Sequence, residues 1–416
     1  LGVMSRDILR EKHRRAFKGR PVTGRADNQT QEVSNEMSDP VVNRGFFGKM
    51  MGSSFYKKFI LPGLISQSVV IAGGYGTGRE LVEYFGNFGS LGGILGMVLV
   101  TTVLWAIVYA VSFEFARTFK VYDYRSFFKE LIGPGWMLYE VCYIILLLII
   151  LGVVGATSGS VFKQAFGLPP LVGAGLFLAG VATLTFFGSY VIEVALSWWS
   201  FVLYAVFLIF LLVGLSKVGG QISANVASGD IREGWALGGF KYAFYNLATL
   251  SAVLFALRSI ETRKEAFISG AMASILTILP GFFLYLVLMG FYPGILEVEL
   301  PTYTILAQIA PWLLPIFLVV LFGTMIETAA GFIHSVNERL NSWMVDRKGK
   351  ELSNAGRGLV GGAMALIGLG VASFGLIGLI ARGYGTISWA FFLFHGVALF
   401  TIGLYKMNKK KSGGAA

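Results

Sequence analysis

Gly73-Gly74-Tyr75-Gly76-Thr77-Gly78-Arg79-Glu80 lies about halfway along an apolar stretch running from Phe59 to Phe85. Each of its four glycines weakens a helix by roughly 0.8–1 kcal/mol relative to alanine, so the helix is expected to break here. In lipid a break frees backbone N–H and C=O groups, and it survives only where those groups line a polar cavity. Two other readings compete. As a phosphate-binding loop the string has Arg79 where lysine is needed and Glu80 where serine or threonine should hold magnesium, and no strand precedes it. As a close-packing face of small residues it leaves Arg79, Glu80 and Glu83 unexplained, because charges at that depth are costly and functional by default.

The rest of the chain supports a membrane setting. Of 416 residues, 55% are hydrophobic and 14% charged, whereas a soluble domain carries about 25% charged. Apolar stretches of about 20 residues mark spans. Ten are drawn: Phe59 to Phe85, Leu91 to Ala116, Trp136 to Ala165, Leu171 to Phe187, Ile192 to Leu215, Gly239 to Leu257, Ala266 to Phe291, Pro311 to Val336, Leu359 to Leu379 and Tyr384 to Met407. Only Gly188, Ser189 and Tyr190 separate the fourth from the fifth. The fold class expected is an all-α membrane protein. Residues 1–55 read as a disordered basic cytoplasmic tail, 56–407 as the transmembrane domain and 408–416 as a second cytoplasmic tail.

Charge sets the orientation. Of the 34 Lys and Arg, 28 fall in the tails and in every second loop, which places both termini in the cytoplasm by the positive-inside rule. The net charge of +11 is then a record of topology and calls for no nucleic acid. A single cysteine, Cys142, excludes a disulfide framework, and three histidines with one cysteine make no conventional zinc site. No span carries a Ser-His, His-Asp or metal-binding constellation, so an enzyme is not expected, nor a resident cofactor or metal.

Five spans after the first, Tyr242-Ala243-Phe244-Tyr245-Asn246-Leu247-Ala248-Thr249-Leu250-Ser251 occupies the middle of span 6. With ten spans and five per half, spans 1 and 6 enter the membrane from opposite sides, the geometry of an inverted repeat. Repeat one is drawn over 59–215 and repeat two over 239–407. Asn246, Thr249 and Ser251 can satisfy an unwound turn or bond back to carbonyls of an ordinary helix, and the absence of Gly and Pro makes this a weak break signal. In span 8, Glu327 is flanked by Thr324 and Thr328 at helical spacing, about 24 Å from the outer end by the helix rise. A carboxylate at that depth belongs by default to an ion or proton path. The three oxygen-bearing side chains would form a cation site with carbonyls near Ala72 and Gly73.

Smaller features follow. Pro301 to Ile309 reads as a short amphipathic helix outside the membrane, a lid between spans 7 and 8. Gly152 and Gly155 are expected to let span 3 approach span 1. Glu114, Glu140 and Glu193 read as interfacial, His334 likewise, and His395 as a satisfied core residue. Gly383-Tyr384-Gly385-Thr386 repeats Gly74 to Thr77 but sits in span 10, the counterpart of span 5, and is read as coincidence.

Taken together, ten spans, a glycine-broken first helix, a polar-centred sixth, an outer helix before span 8 and threonines within it resemble the LeuT-type amino acid/polyamine/organocation superfamily. The Gly-Tyr-Gly-Thr-Gly-Arg-Glu string is most similar to the YkvI-type membrane proteins. The resemblance covers Phe59 to about Met407. It implies discontinuous spans 1 and 6 in a 5+5 inverted repeat. It also implies a substrate site lined by Gly73, Gly74, Tyr75, Gly76, Thr77, Gly78, Tyr245, Asn246, Thr249 and Ser251. Sodium is the coupling ion it suggests, at Ala72, Gly73, Thr324 and Thr328, while Glu327 departs from the pattern by adding a charge that suits a cation or a proton. An outer gate between an arginine of span 1 and an acid of span 10 cannot be copied, because span 10 has no acid; Arg79, Glu80 and Glu83 with Arg382 are the reversed candidates. The function expected is a secondary active transporter of a small polar solute, an amino acid or related zwitterion, coupled to sodium or protons. A non-transporting solute sensor and a divalent-metal transporter are the alternatives; the second is disfavoured by the lack of soft ligands in span 6.

Overall fold

The computed structural model describes residues 53–71, 73–187 and 189–413; the tail expected over 1–55 therefore lies, but for its last three residues, outside the described residues. The described chain is helical. Eight helices are long and apolar enough to cross a bilayer unaided: Ser90–Phe119, Tyr124–Phe166, Tyr204–Ala227, Trp235–Ser259, Arg263–Met289, Leu314–Ile333, Asn354–Ala372 and Leu376–Lys410. Two more complete the ten. The first is the interrupted run beginning at Tyr56 and ending at Tyr84. The fourth, Pro170–Phe187, has 18 residues, just sufficient for a hydrocarbon core of ~30 Å at ~1.5 Å per residue. Gly188, where the division between spans 4 and 5 is expected, lies outside the described residues, and span 5 resumes at Ser189 and runs to Ala227 with a kink at Val218.

Local chemistry marks several helix ends. Thr262 and Glu265 form a reciprocal capping box at the start of span 7, the Thr262 hydroxyl accepting from the Glu265 amide and the Glu265 carboxylate from the Thr262 amide. Asp123 caps a short amphipathic helix, Tyr124–Ile132, that leads into span 3. Ser353 caps span 9. Span 10 does not stop at Met407 but continues as helix to Gly413, with Lys410 donating to the Thr118 carbonyl at 2.7 Å.

Packing gathers eight of the spans into two groups. Spans 1, 2, 6 and 7 pack on one another, and spans 2 and 7, equivalent elements of the two halves, share the most extensive contact. At its centre Gly270 presses on the backbone of Tyr109 and Ala110, an approach no larger residue permits. Spans 3, 4, 8 and 9 form the other group. Gly152 and Gly155 serve spans 4, 9 and 10 rather than span 1: a side chain at Gly152 would meet Val371 and Leu379, and one at Gly155 would meet Leu178 and Ala372. Small residues in a span announce a close neighbour, but not which neighbour.

Charged side chains tie the helices together near the face where the chain enters. Lys58 pairs with Glu265 at 2.9 Å and Glu261 at 3.2 Å, joining span 1 to span 7. Glu114, expected at an interface, is buried and held by Arg117 at 2.8 Å, which also donates to the Glu261 carbonyl. Glu140 accepts from the Tyr124 hydroxyl at 2.9 Å and pairs with Arg339 at 3.3 Å, linking spans 3 and 8. The side chains of Glu193 and His334 lie outside the described residues. His395 is buried, with its Nε2 3.0 Å from the Ser112 hydroxyl.

Candidate functional site

Span 1 is broken, and the break has two edges. Helix Leu61–Val70 ends at Ile71, whose ψ of 92° is extended. A single turn, Gly73–Gly76, follows, and Thr77 and Gly78 then interrupt the path before helix Arg79–Tyr84 resumes. Gly78 has a φ of +80°, the left-handed region that costs a side-chain-bearing residue roughly 1–2 kcal/mol. Every residue from Gly73 to Val82 is buried. Freed backbone groups find local partners: the Thr77 hydroxyl donates to the Gly74 carbonyl at 2.9 Å, and the Thr77 carbonyl accepts from the Thr302 amide at 2.9 Å. Thr302 belongs to Pro301–Ile309, the expected outer helix, which has those bounds in the structure.

Span 6 loosens without opening. Its α-helix Trp235–Asn246 passes into tighter 3₁₀ geometry at Leu247–Thr249 and again at Leu254–Ser259, while φ and ψ stay in the right-handed region. This changes the hydrogen-bonding pitch at mid-span, and no glycine is needed for it. Asn246 donates to the Tyr242 carbonyl at 3.0 Å. Thr249 turns inward to the Tyr109 hydroxyl at 3.2 Å, and Tyr109 in turn meets Ser66 of span 1 at 2.7 Å. Ser251 lies toward span 3, 3.3 Å from the Tyr143 hydroxyl. Thr249 and Ser251 thus pin span 6 to its neighbours on two different sides.

The densest chemistry gathers around Glu80. Its carboxylate accepts a hydrogen bond from the Tyr245 hydroxyl, and its other oxygen lies over Gly74, where a side chain would collide with it. Gly74 is glycine for that reason. The Tyr245 ring stacks on Tyr384 with centroids 4.5 Å apart and planes at 12°. Tyr242 meets Tyr245 edge-on at 5.6 Å, and Tyr84 packs against both. The Tyr84 hydroxyl donates to the Ile380 carbonyl at 2.8 Å, anchoring span 1 to span 10. Tyr384 belongs to the second Gly-Tyr-Gly-Thr, which is no idle repetition: its ring backs the tyrosine that hydrogen-bonds Glu80. Tyr75 points elsewhere, its ring lying against Gly281 of span 7.

On the side toward spans 3 and 8, Gly73 faces Thr157 and Met325, and Gly76 faces Leu321. The Thr157 hydroxyl is buried and has no hydrogen-bond partner among the described residues. Thr324 is buried and donates back to the Leu321 carbonyl at 2.8 Å, while Thr328 is half-buried. Ala72 and the side chain of Glu327 lie outside the described residues.

The expected pairing of Glu80 or Glu83 with Arg382 does not form. Glu83 pairs with Arg79 at 3.2 Å, one helical turn away, and Glu80 takes Tyr245. Arg79 is buried and donates to the carbonyls of Leu296 at 2.8 Å and Val298 at 3.0 Å. It clamps the loop before helix Pro301–Ile309 onto span 1. Glu299 of that loop accepts from Ser160 of span 3 at 2.8 Å, so the same segment also reaches the second helix group.

No family model and no curated protein matches the sequence. A solved structure does match, over 85% of this chain and 82% of its own, with 15% identity and a TM-score of 0.53: the substrate-bound outward-open state of a Na+-coupled sialic acid symporter. The fold is LeuT-like. Ten spans in two inverted halves of five, with spans 1 and 6 losing regular α pitch at mid-membrane, make this a multi-pass membrane protein of that architecture.

Proposed function

We propose that this chain is a secondary active transporter that carries a small polar solute, an amino acid or related zwitterion, across the cell membrane by alternating access. One observation carries the reading. A buried, glycine-made interruption sits in the middle of span 1, between span 6 on one side and spans 3 and 8 on the other. Helices in lipid retain such breaks where exposed peptide groups bind a passenger. Within the LeuT-like fold, the Gly-Tyr-Gly-Thr-Gly-Arg-Glu string favours the amino acid/polyamine/organocation superfamily and its YkvI-type members. The distribution of Lys and Arg favours cytoplasmic termini.

Coupling would act through the Gly73 region, Thr324, Thr328 and Glu327, with sodium or a proton as the driving ion. The solved neighbour is Na+-coupled, which supports sodium. One charge crossing 100 mV supplies about 2.3 kcal/mol, enough for roughly 50-fold accumulation. Arg79 and the loop around Leu296 and Val298 would close one entrance, and Lys58 with Glu265 would close the other.

Uptake into proteoliposomes under an imposed sodium or proton gradient, screened over small amino acids, tests this. Gradient-dependent accumulation that Glu327→Gln uncouples is the expected result. Binding without any accumulation or exchange would make the protein a sensor instead.

A further inference from the structure

The amphipathic helix Tyr124–Ile132, between spans 2 and 3, carries charges that its own fold leaves unbalanced. Phe127, Phe128 and Leu131 are fully buried, while Arg125 and Lys129, one helical turn apart, share an exposed face. A 3₁₀ turn, Gly133–Gly135, then folds the chain back and brings Trp136 against both. The Arg125 guanidinium is 4.8 Å from the centre of the Trp136 ring and the Lys129 ammonium 5.1 Å. The aromatic face attracts each cation but neutralises neither, and two like charges gathered on one ring repel each other.

The acids of this segment are committed elsewhere. Asp123 caps the helix through the Ser126 amide, and Glu130 pairs with Lys406 at 3.4 Å. Glu140 accepts from the Tyr124 hydroxyl and pairs with Arg339. Among the described residues, neither Arg125 nor Lys129 has an ion-pair or hydrogen-bonding partner. The two are arranged to share an anion, and their position indicates which one. Trp136 opens the apolar length of span 3, and tryptophan gathers where hydrocarbon meets headgroups. Immediately after it, Met137, Leu138, Val141, Ile144 and Ile145 form an apolar stripe that is 40% to 62% exposed. A soluble anion would gain the two charges alone. A phospholipid gains the charges through its phosphate and the stripe through its acyl chain.

We propose that Arg125, Lys129 and Trp136 form a docking site for the headgroup of an anionic phospholipid, with its phosphate between the two cations and an acyl chain along Met137, Val141 and Ile144. A zwitterionic phosphatidylcholine fits less well, because it brings a cation of its own to a site that already holds two. The site lies apart from the break in span 1 and does not depend on what the protein carries.

The test uses the full-length protein in detergent, melted with increasing dioleoylphosphatidylglycerol, dioleoylphosphatidylcholine or glycerol 1-phosphate. Saturable stabilisation is expected from phosphatidylglycerol and not from the other two. Arg125→Gln and Lys129→Gln should each raise its half-saturating concentration about fivefold, and the double variant about thirtyfold, the worth of one and two cations at an anionic lipid surface. Lys264→Gln, which removes an equal charge from an exposed position in the first turn of span 7, should leave that concentration unchanged. A second readout follows the ring. Phosphatidylglycerol brominated on its acyl chains should quench the protein's tryptophan emission, and both Trp136→Phe and the double variant should remove the Trp136 share of that quenching. Equal stabilisation by phosphatidylcholine or by glycerol 1-phosphate, none by phosphatidylglycerol, or a double variant that responds like the wild type would each overturn the proposal. Trp136 emission untouched by the brominated lipid would do the same.

Discussion

Replacing Gly78 by alanine probes the joint between the broken span and helix Pro301–Ile309. Two costs add there. The residue has a φ of +80°, which penalises a side chain by roughly 1–2 kcal/mol. The new methyl would also lie 3.0 Å from the Thr302 hydroxyl and 3.4 Å from Leu288, an overpacking of the kind that costs about 1–3 kcal/mol. Gly167 separates the two terms. It has a φ of +70° and nothing within 4 Å of an added side chain, so Gly167→Ala measures backbone strain alone. At about 2.1 cal/mol/K per residue, a domain of this size loses roughly 1–2 °C of melting temperature per kcal/mol. Gly78→Ala should therefore fall below Gly167→Ala by about 1–6 °C in melts at one heating rate. A second readout follows the contact itself. Thr302 is fully buried, so in a chain lacking Cys142 a Thr302→Cys should label slowly with a maleimide, and faster once Gly78→Ala pushes helix Pro301–Ile309 away. Equal melts for the two glycine variants, with unchanged labelling, would refute a close joint at Thr77–Thr302.

Three other outcomes are expected. A thermodynamic cycle of Glu80→Gln and Tyr245→Phe should be non-additive by about 1.5–3 kcal/mol, since each variant alone strands the other's partner; additivity would mean the hydrogen bond is not formed in the membrane. Arg79→Lys should retain only part of the stability of the wild type, because one ammonium cannot serve the Leu296 and Val298 carbonyls and Glu83 together; a silent substitution would show that the planar fork is unnecessary. Lys58 bridges Glu265 and Glu261, so Lys58→Met and Glu265→Gln should each lower the melting temperature and the double variant should lose less than the sum. Strictly additive losses would contradict the pairing.

The backbone of the site was more legible in the sequence than its side-chain partners. Glycines at 73, 74, 76 and 78 act through local conformation, so the interruption of span 1 could be read directly. Pro301–Ile309 was legible for the same reason, with a proline to open it and an amphipathic pattern to fill it. Span 6 was only half legible: a shift from α to 3₁₀ pitch requires no special residue, and Tyr242 to Ser251 therefore carry no strong signal. Partners were another matter. Glu80 and Glu83 called for a cation, and Arg382 was available in sequence, but Arg79 was nearer to Glu83 and a tyrosine reached Glu80. Tyr384 stacks on a residue 139 positions away. Its motif was visible, but only the packing of span 10 on span 6 gives that motif a role. Gly152 and Gly155 make the same point for helix contacts, since close approach was expected and occurs, but with spans 4, 9 and 10.

The bond from the Thr302 amide to the Thr77 carbonyl joins main chain to main chain. No exchange of either side chain, proline at 302 excepted, deletes its donor or acceptor. The join between span 1 and helix Pro301–Ile309 can then be inherited unchanged while the side chains around it vary, so sequence drift at these positions leaves the strut in place.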